Sequence, residues 1–188
     1  MSISRRRARG VTLIELILFI MIVGIALGAV VNVFNISIGH SADPLRRKQA
    51  IAIAESLLEE VEQARFTWCD PTDAAASTAA NAAACAIPEA AGIEAGATRP
   101  YDNVNDYVTA FDSANSTVFL TGGVLSDAAG TPIVVGGGGY SASVTITQAG
   151  LGGIATDAAL LISVRVNFDN DNVVLEGYRT RYAPNSTP

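Results

Sequence analysis

The sequence predicts an α+β chain: a long N-terminal stem helix packed on a C-terminal antiparallel β-sheet. Three observations predict it. Residues Val11 to Val31 form an apolar run of 21 residues with one charge in it, Glu15. Farther on, Ala50, Ile51, Ile53, Ala54, Leu57, Leu58, Val61 and Ala64 recur at helical spacing. From residue 118 onward, short β-rich segments alternate with glycine, asparagine and aspartate clusters, the pattern of strands joined by turns.

The elements follow in order. Residues 1–10 are a basic leader, with Arg5, Arg6, Arg7 and Arg9 ending in Gly10. The apolar run that follows is long enough to cross a bilayer, because ~20 helical residues span ~30 Å of hydrocarbon. The arginines then stay on the cytoplasmic side. A carboxylate inside such a span costs several kcal/mol unless something pairs with it. What pairs with Glu15 is therefore the central question.

One helix is predicted over residues 11–66, of which 11–31 are membrane-embedded. At 1.5 Å per residue it is roughly 84 Å long if straight. Glu55, Glu59, Glu60 and Glu62 fall mostly on the face opposite the apolar stripe. Pro44 interrupts the helix after Gly39, His40, Ser41 and Asp43. A proline removes one helix bond and clashes with the preceding turn, so a kink or a melted stretch is expected near residues 39–44. Gly24 and Gly28 are weak helix formers that either loosen the stem or let neighbouring helices approach closely. Close packing is the preferred reading. Arg46-Arg47-Lys48 is expected to be a solvated helix face.

Residues 67–188 form the head. Its first part, to about residue 117, is the least regular, punctuated by Pro71, Pro88 and Pro100. The alanine-rich stretch from Ala74 to Ala86, with Cys85 near its end, is expected to be a short helix or a loop tied back by a disulfide. In Tyr101-Asp102-Asn103-Val104-Asn105-Asp106-Tyr107, two tyrosines flank turn-forming Asp and Asn residues. A docked turn is the preferred reading, and a cation or glycan contact the sharper one. Strands are predicted at Val118–Thr121, Tyr140–Thr147, Leu160–Phe168 and Val173–Tyr182, giving about four strands. Asp169-Asn170-Asp171-Asn172 reads as a hairpin turn. The four glycines 136–139 precede no helix or lysine, which argues against a phosphate loop. One apolar sheet face, covered by the helix stripe, is the economical arrangement.

Gly10 followed by Val-Thr-Leu-Ile-Glu-Leu resembles the type IV prepilin signal. The resemblance implies a pilin-like fold and a structural role. A membrane-bound prepilin peptidase would cut between Gly10 and Val11 and methylate the new amine of Val11. This family usually has Phe or Met where this chain has Val11. Glu15 becomes the fifth mature residue, the position of the family's glutamate. The freed amine is cationic near neutral pH. At i+4 from Val11, Glu15 is expected to share a helical face with it. It would neutralise its own amine or that of a neighbouring subunit, setting register in the stack more than adding stability. The partners implied are the major and other minor pilins, met through the N-terminal helix, the prepilin peptidase and an inner-membrane assembly platform. The subunit would span the inner membrane once, head in the periplasm, before entering an extracellular fibre. Trp68-Cys69-Asp70-Pro71, the segment 101–107, Gly177-Tyr178-Arg179-Thr180-Arg181-Tyr182 and the stem residues Phe19-Ile20 and Val23 to Leu27 are more specifically similar to minor pilins of the mannose-sensitive haemagglutinin (MSHA) type.

Competing readings exist. Ala26-Leu27-Gly28 resembles a small-x-small site of an ordinary secretory signal, yet the apolar pattern continues past Gly28. A plain membrane anchor with an incidental glutamate is another. Within the fibre-like class, a type II secretion pseudopilin shares the same stem. An anchored periplasmic binding or adhesin domain is a further alternative.

Composition narrows the function. The chain carries 12 basic and 18 acidic side chains; losing the four leader arginines leaves 8 against 18, a net of −10. Phosphate contacts need a basic face, so nucleic-acid binding is not expected. Cys69 and Cys85 would lie outside the cytoplasm, where disulfides persist, with two free thiols as the alternative. The lone histidine, His40, has no nucleophile partner in sequence, and no cluster has zinc-ligand spacing. No enzyme activity and no cofactor are expected. Asp169 and Asp171 could offer oxygens to calcium, although EF-hand spacing is absent; hairpin chemistry is the preferred reading.

Overall fold

The structure, a computed structural model, describes residues 11–135 and 139–186, without the side chains of residues 35–43. The leader residues Arg5, Arg6, Arg7, Arg9 and Gly10 and the glycines 136–138 lie outside the described residues. The chain divides into two compact units, residues 1–45 and 46–188.

One helix, α1 (Leu13–Gln63), runs through both units. It starts two residues later and ends three earlier than the predicted 11–66. The backbone stays helical through residues 39–44 with Pro44 inside the helix, so the melted stretch expected there is not the conformation found. His40 lies among the side chains outside the description. In the first unit, the residues from Leu13 to Phe34 are exposed except Val23, which is half-buried.

The second unit is built around the lower half of α1. Ala50, Ile53, Ala54, Leu57, Val61 and Ala64 are all buried, at the i, i+3, i+4, i+7 spacing that places them on one helical face. They share one core with alternate residues of a three-stranded sheet, among them Ala142, Val144, Ile146, Leu160, Ile162, Val164, Val166 and Phe168. The strands are β3 (Tyr140–Gln148), β4 (Ala159–Phe168) and β5 (Asp171–Thr180), antiparallel in the order β3-β4-β5. Along β3 burial alternates, as period 2 requires for a sheet with one face on the core. Pairing of Phe168 with Asp171 leaves a two-residue turn, with Asp169 in the left-handed region at φ 48°.

The fourth predicted strand is not part of this sheet. The segment around residues 118–121 instead makes a small hairpin, β1 (Leu120–Thr121) with β2 (Val124–Leu125). Gly122 and Gly123, at φ 60° and 83°, supply the two positive φ values that fold Thr121 back onto Val124. The outer edge of β3 is covered by irregular chain. Asn115 exchanges both backbone bonds with Val144 (2.8 and 3.0 Å), and the Asp112 N–H donates to Ile146 (2.9 Å).

Helix and sheet approach closely at Gly177. A Cβ built there would stand 1.8 Å from Glu62 Oε1, so the glycine leaves the room that the glutamate occupies. The alanine-rich region is the loop alternative and not an α-helix. It is a run of turns with a 3-10 turn at Ala82–Ala84, packed as a second small core of Cys69, Ala76 and Ala79. Cys69 and Cys85 form a disulfide with Cα atoms 5.5 Å apart. The Asn185 amide donates to the carbonyls of Ala76 (3.1 Å) and Ala79 (2.9 Å), tying the C-terminal segment to this core.

Candidate functional site

The site begins where α1 begins. Thr12 caps the helix: its hydroxyl oxygen accepts the N–H of Glu15 at 3.4 Å, and its carbonyl accepts Leu16 N–H at 3.1 Å. Thr12-Leu13-Ile14-Glu15 is the T-x-x-E spacing of a capping box, a signal present in the sequence but not read above. Glu15 lies in the first turn, where the helix dipole favours a carboxylate. Val11 and Thr12 precede the helix. The i, i+4 relation between Val11 and Glu15 is therefore not a helical spacing here, because the cap itself breaks the helical path between them.

Below the cap, Leu13–Phe34 is a helix of 22 residues with mean hydropathy 2.8, none of it buried within the chain. Ile14, Ile17, Phe19, Ile22 and Ile25 are between 52% and 70% exposed on different sides of the helix. A helix that is apolar all round belongs in a membrane or between other helices. Near Gly24 and Gly28 no atom of the described residues lies within 4 Å of a built Cβ. Pro44 is exposed at the foot of this unit.

In the head, two sequence expectations change. Arg46 pairs with Asp169, and Arg47 with Asp171 at 3.0 Å. The basic cluster thus holds the β4–β5 turn, and it is not simply a solvated face. The same pairs occupy Asp169 and Asp171, the two proposed calcium ligands, with cations. Tyr140 strengthens this corner by donating to Gln49 Oε1 at 2.8 Å. Asn103–Tyr107 is buried, and Val104–Tyr107 is a 3-10 turn closed by a capping box between Asn103 and Asp106.

Glu60, placed above on the outer face, is interior. Arg99 clamps it with two bonds of 2.7 and 2.6 Å, and the Tyr107 hydroxyl donates to it at 3.0 Å. Burial lowers the Arg99 pKa and Glu60 raises it, with a net rise. The Tyr107 hydroxyl is pushed far up, first by burial and then by the Glu60 carboxylate. This cluster fixes the head on the helix.

Residues 5–31 match the family profile described as the prokaryotic N-terminal methylation motif. No curated protein and no solved structure matches the chain. The matched segment contains the leader arginines from Arg5 onward, Gly10, Val11, the Thr12 cap and Glu15. The motif supports a prepilin of the type IV pilin or pseudopilin kind, a class of structural proteins, and the α+β layout is pilin-like.

Proposed function

We propose that this chain is a minor pilin of a type IV pilus of the MSHA type, similar to MshD. Prepilin peptidase would remove residues 1–10, cutting between Gly10 and Val11 and methylating Val11. The observation that carries the reading is the matched motif at residues 5–31, set at the head of an exposed apolar helix with Glu15 in its first turn. Before assembly the helix spans the inner membrane once, with the head in the periplasm. The assembly platform then passes the subunit to a fibre of major and minor pilins, whose stems replace the lipid around Leu13–Phe34.

Glu15 acts at that exchange. Near a helix N-terminus its carboxylate is already favoured, and the new amine of a neighbouring subunit supplies the opposite charge. In a dry stem bundle the attraction mostly offsets the cost of desolvating both charges. The pair therefore selects register: a subunit at the wrong height leaves two unpaired charges. Gly24 and Gly28 give neighbouring stems a surface of low relief. Pro44, at the boundary between the two compact units, is the natural place for a helix kink.

A pseudopilin of type II secretion shares every feature of this stem. The similarity of the segments around Trp68, Tyr101 and Tyr178 to MSHA minor pilins favours the pilus reading. Mass spectrometry of the membrane-extracted protein tests the class. A mature start at Val11, with or without a methyl group, supports it; an intact leader or a start just after Gly28 overturns it. Cross-linking through the stem then separates pilus subunits from secretion components as neighbours.

A further inference from the structure

We infer that the head holds a calcium ion between Glu94, Asp102 and Asp106, with Asp70 and Glu89 also close to Glu94. Carboxylate oxygens of Glu94, Asp102 and Asp106 lie within 4.8 Å of one another, and so do those of Asp70, Glu89 and Glu94. Two oxygens that each sit ~2.4 Å from one calcium are at most ~4.8 Å apart, so each trio meets the spacing that shared coordination of one ion requires.

The independent observation is a set of buried oxygens with nothing to bond. Asp106 is 0% exposed; one oxygen accepts the Asn103 N–H at 3.2 Å, and the other is buried without a partner. Both oxygens of Glu89 and the Asn105 side-chain oxygen are buried without a hydrogen bond as well. A buried carboxylate oxygen left unpaired costs several kcal/mol, and several in one place call for a cation.

The local charge points the same way. Burial, followed by Glu94 and its other acidic neighbours, pushes the Glu89 carboxyl up to about 8; the Asn103 amide opposes this only weakly. Burial, then Glu94 and Glu89, pushes Asp106 to about 8. The cation whose field reaches Glu89 is Arg181, stacked at 3.8 Å on both Phe66 and Trp68.

Oxygen-only ligands exclude the sites preferred by zinc, and a loop-built cluster suits calcium, which accepts six to eight oxygens in flexible geometry, better than magnesium. The choice of ion rests on the extracytoplasmic head proposed above, where calcium is available. The ligands come from three irregular segments. Asp70 follows the Cys69 half of the disulfide, and its N–H donates to Ile87 at 3.0 Å. Glu89 donates its N–H to Trp68, also at 3.0 Å. Asp102 precedes the capped 3-10 turn and Asp106 lies within it. An ion here would fasten a part of the head that has no sheet of its own.

The test is calcium titration of the full chain in detergent, stripped with chelator, by calorimetry and by thermal unfolding. We expect about one calcium per chain and a midpoint raised on the order of 5 °C once free calcium is about a hundredfold above Kd. Glu94→Gln and Asp102→Asn, both on the accessible rim, should each weaken calcium binding at least about tenfold with the chelated midpoint nearly unchanged. Asp171→Asn should leave it intact. No heat and no midpoint shift at about 5 mM calcium overturns the inference, as does full binding by the Glu94→Gln/Asp102→Asn chain. The mature N-terminus of the same sample is measured separately, so failure of calcium binding and failure of the pilin reading are told apart.

Discussion

Glu60 and Arg99 offer a sharp test of how the head is held on its helix. Their side chains are 6% and 8% exposed. Glu60 accepts three hydrogen bonds, two from Arg99 and one from Tyr107. Replacing Glu60 by Leu leaves the guanidinium with one remaining acceptor, the Ser126 carbonyl at 3.0 Å, and one face on the Phe119 ring at 5.2 Å. Arg99 Nη1 is already buried without a partner, so nothing nearby can take up the lost bonds. Removing one partner of such a pair costs about 3–5 kcal/mol. Arg99→Met orphans the carboxylate in the same way and forfeits the Ser126 bond, for a similar loss. The double variant Glu60→Leu/Arg99→Met removes both charges and leaves only the neutral Tyr107 hydroxyl and Ser126 carbonyl short of a partner, so it should lose about 1–3 kcal/mol, far less than the sum of the single losses. The coupling between the sites is then on the order of 3 kcal/mol or more. Denaturant unfolding of the solubilised chain, followed by fluorescence of its single tryptophan, Trp68, measures all three variants. Additive single losses would show that the pair is not a unit and would refute this account of the interface.

Three further outcomes are expected. Cys69→Ser/Cys85→Ser should lower stability by roughly 3 kcal/mol, because the bond closes a loop with a sequence separation of 16; an unchanged unfolding midpoint would count against it. Asp73 accepts N–H bonds from Ile87 and Ala75, which hold its pKa below the ordinary 3.8. Its contribution is therefore present above pH ~4 and is lost as pH falls through the lower folded value, so Asp73→Asn should flatten that part of the acid-unfolding curve. Glu15→Gln should still be cut and inserted but enter fibres at least roughly tenfold less well, equivalent to ~1.4 kcal/mol, in immunoblots of sheared pili against membranes; normal incorporation would sink the register argument.

The parts of this fold legible in the sequence are those set by period and by local chemistry. The stripe from Ala50 to Ala64 has a helical period and is buried as a face. Residues 140–148 alternate, and the Asp-Asn pair after Phe168 turns the chain. The motif at Gly10, Val11 and Glu15 was legible because its residues are contiguous. Partnerships across the chain were not legible. Glu60 was assigned to the outer face because a glutamate in a charged run reads as solvated. Its position, three residues after Leu57 and four before Ala64, is nonetheless on the buried side, and its partner Arg99 is 39 residues away. Asp169 and Asp171 offered oxygens in a plausible spacing, but the arginines that take them lie 123 and 124 residues earlier. The missing fourth strand has a local cause that was visible: Gly122-Gly123 turns Thr121 away from the main sheet. The acidic cluster is assembled from loops between residues 70 and 106, where no periodicity ties one carboxylate to the next.

The covered edge of β3 bears on the order of events in a crowded polymer. Heads brought side by side on a filament meet at very high effective concentration, and a bare strand edge there would recruit its neighbour whatever the stems were doing. Asn115 and Asp112 already occupy the main-chain groups of Val144 and Ile146. Cross-subunit sheet growth is thus shut off along that flank. The neighbour-facing pairing that remains open to the sheet lies on the opposite side, along β5 (Asp171–Thr180), so the two flanks of the head are not equivalent.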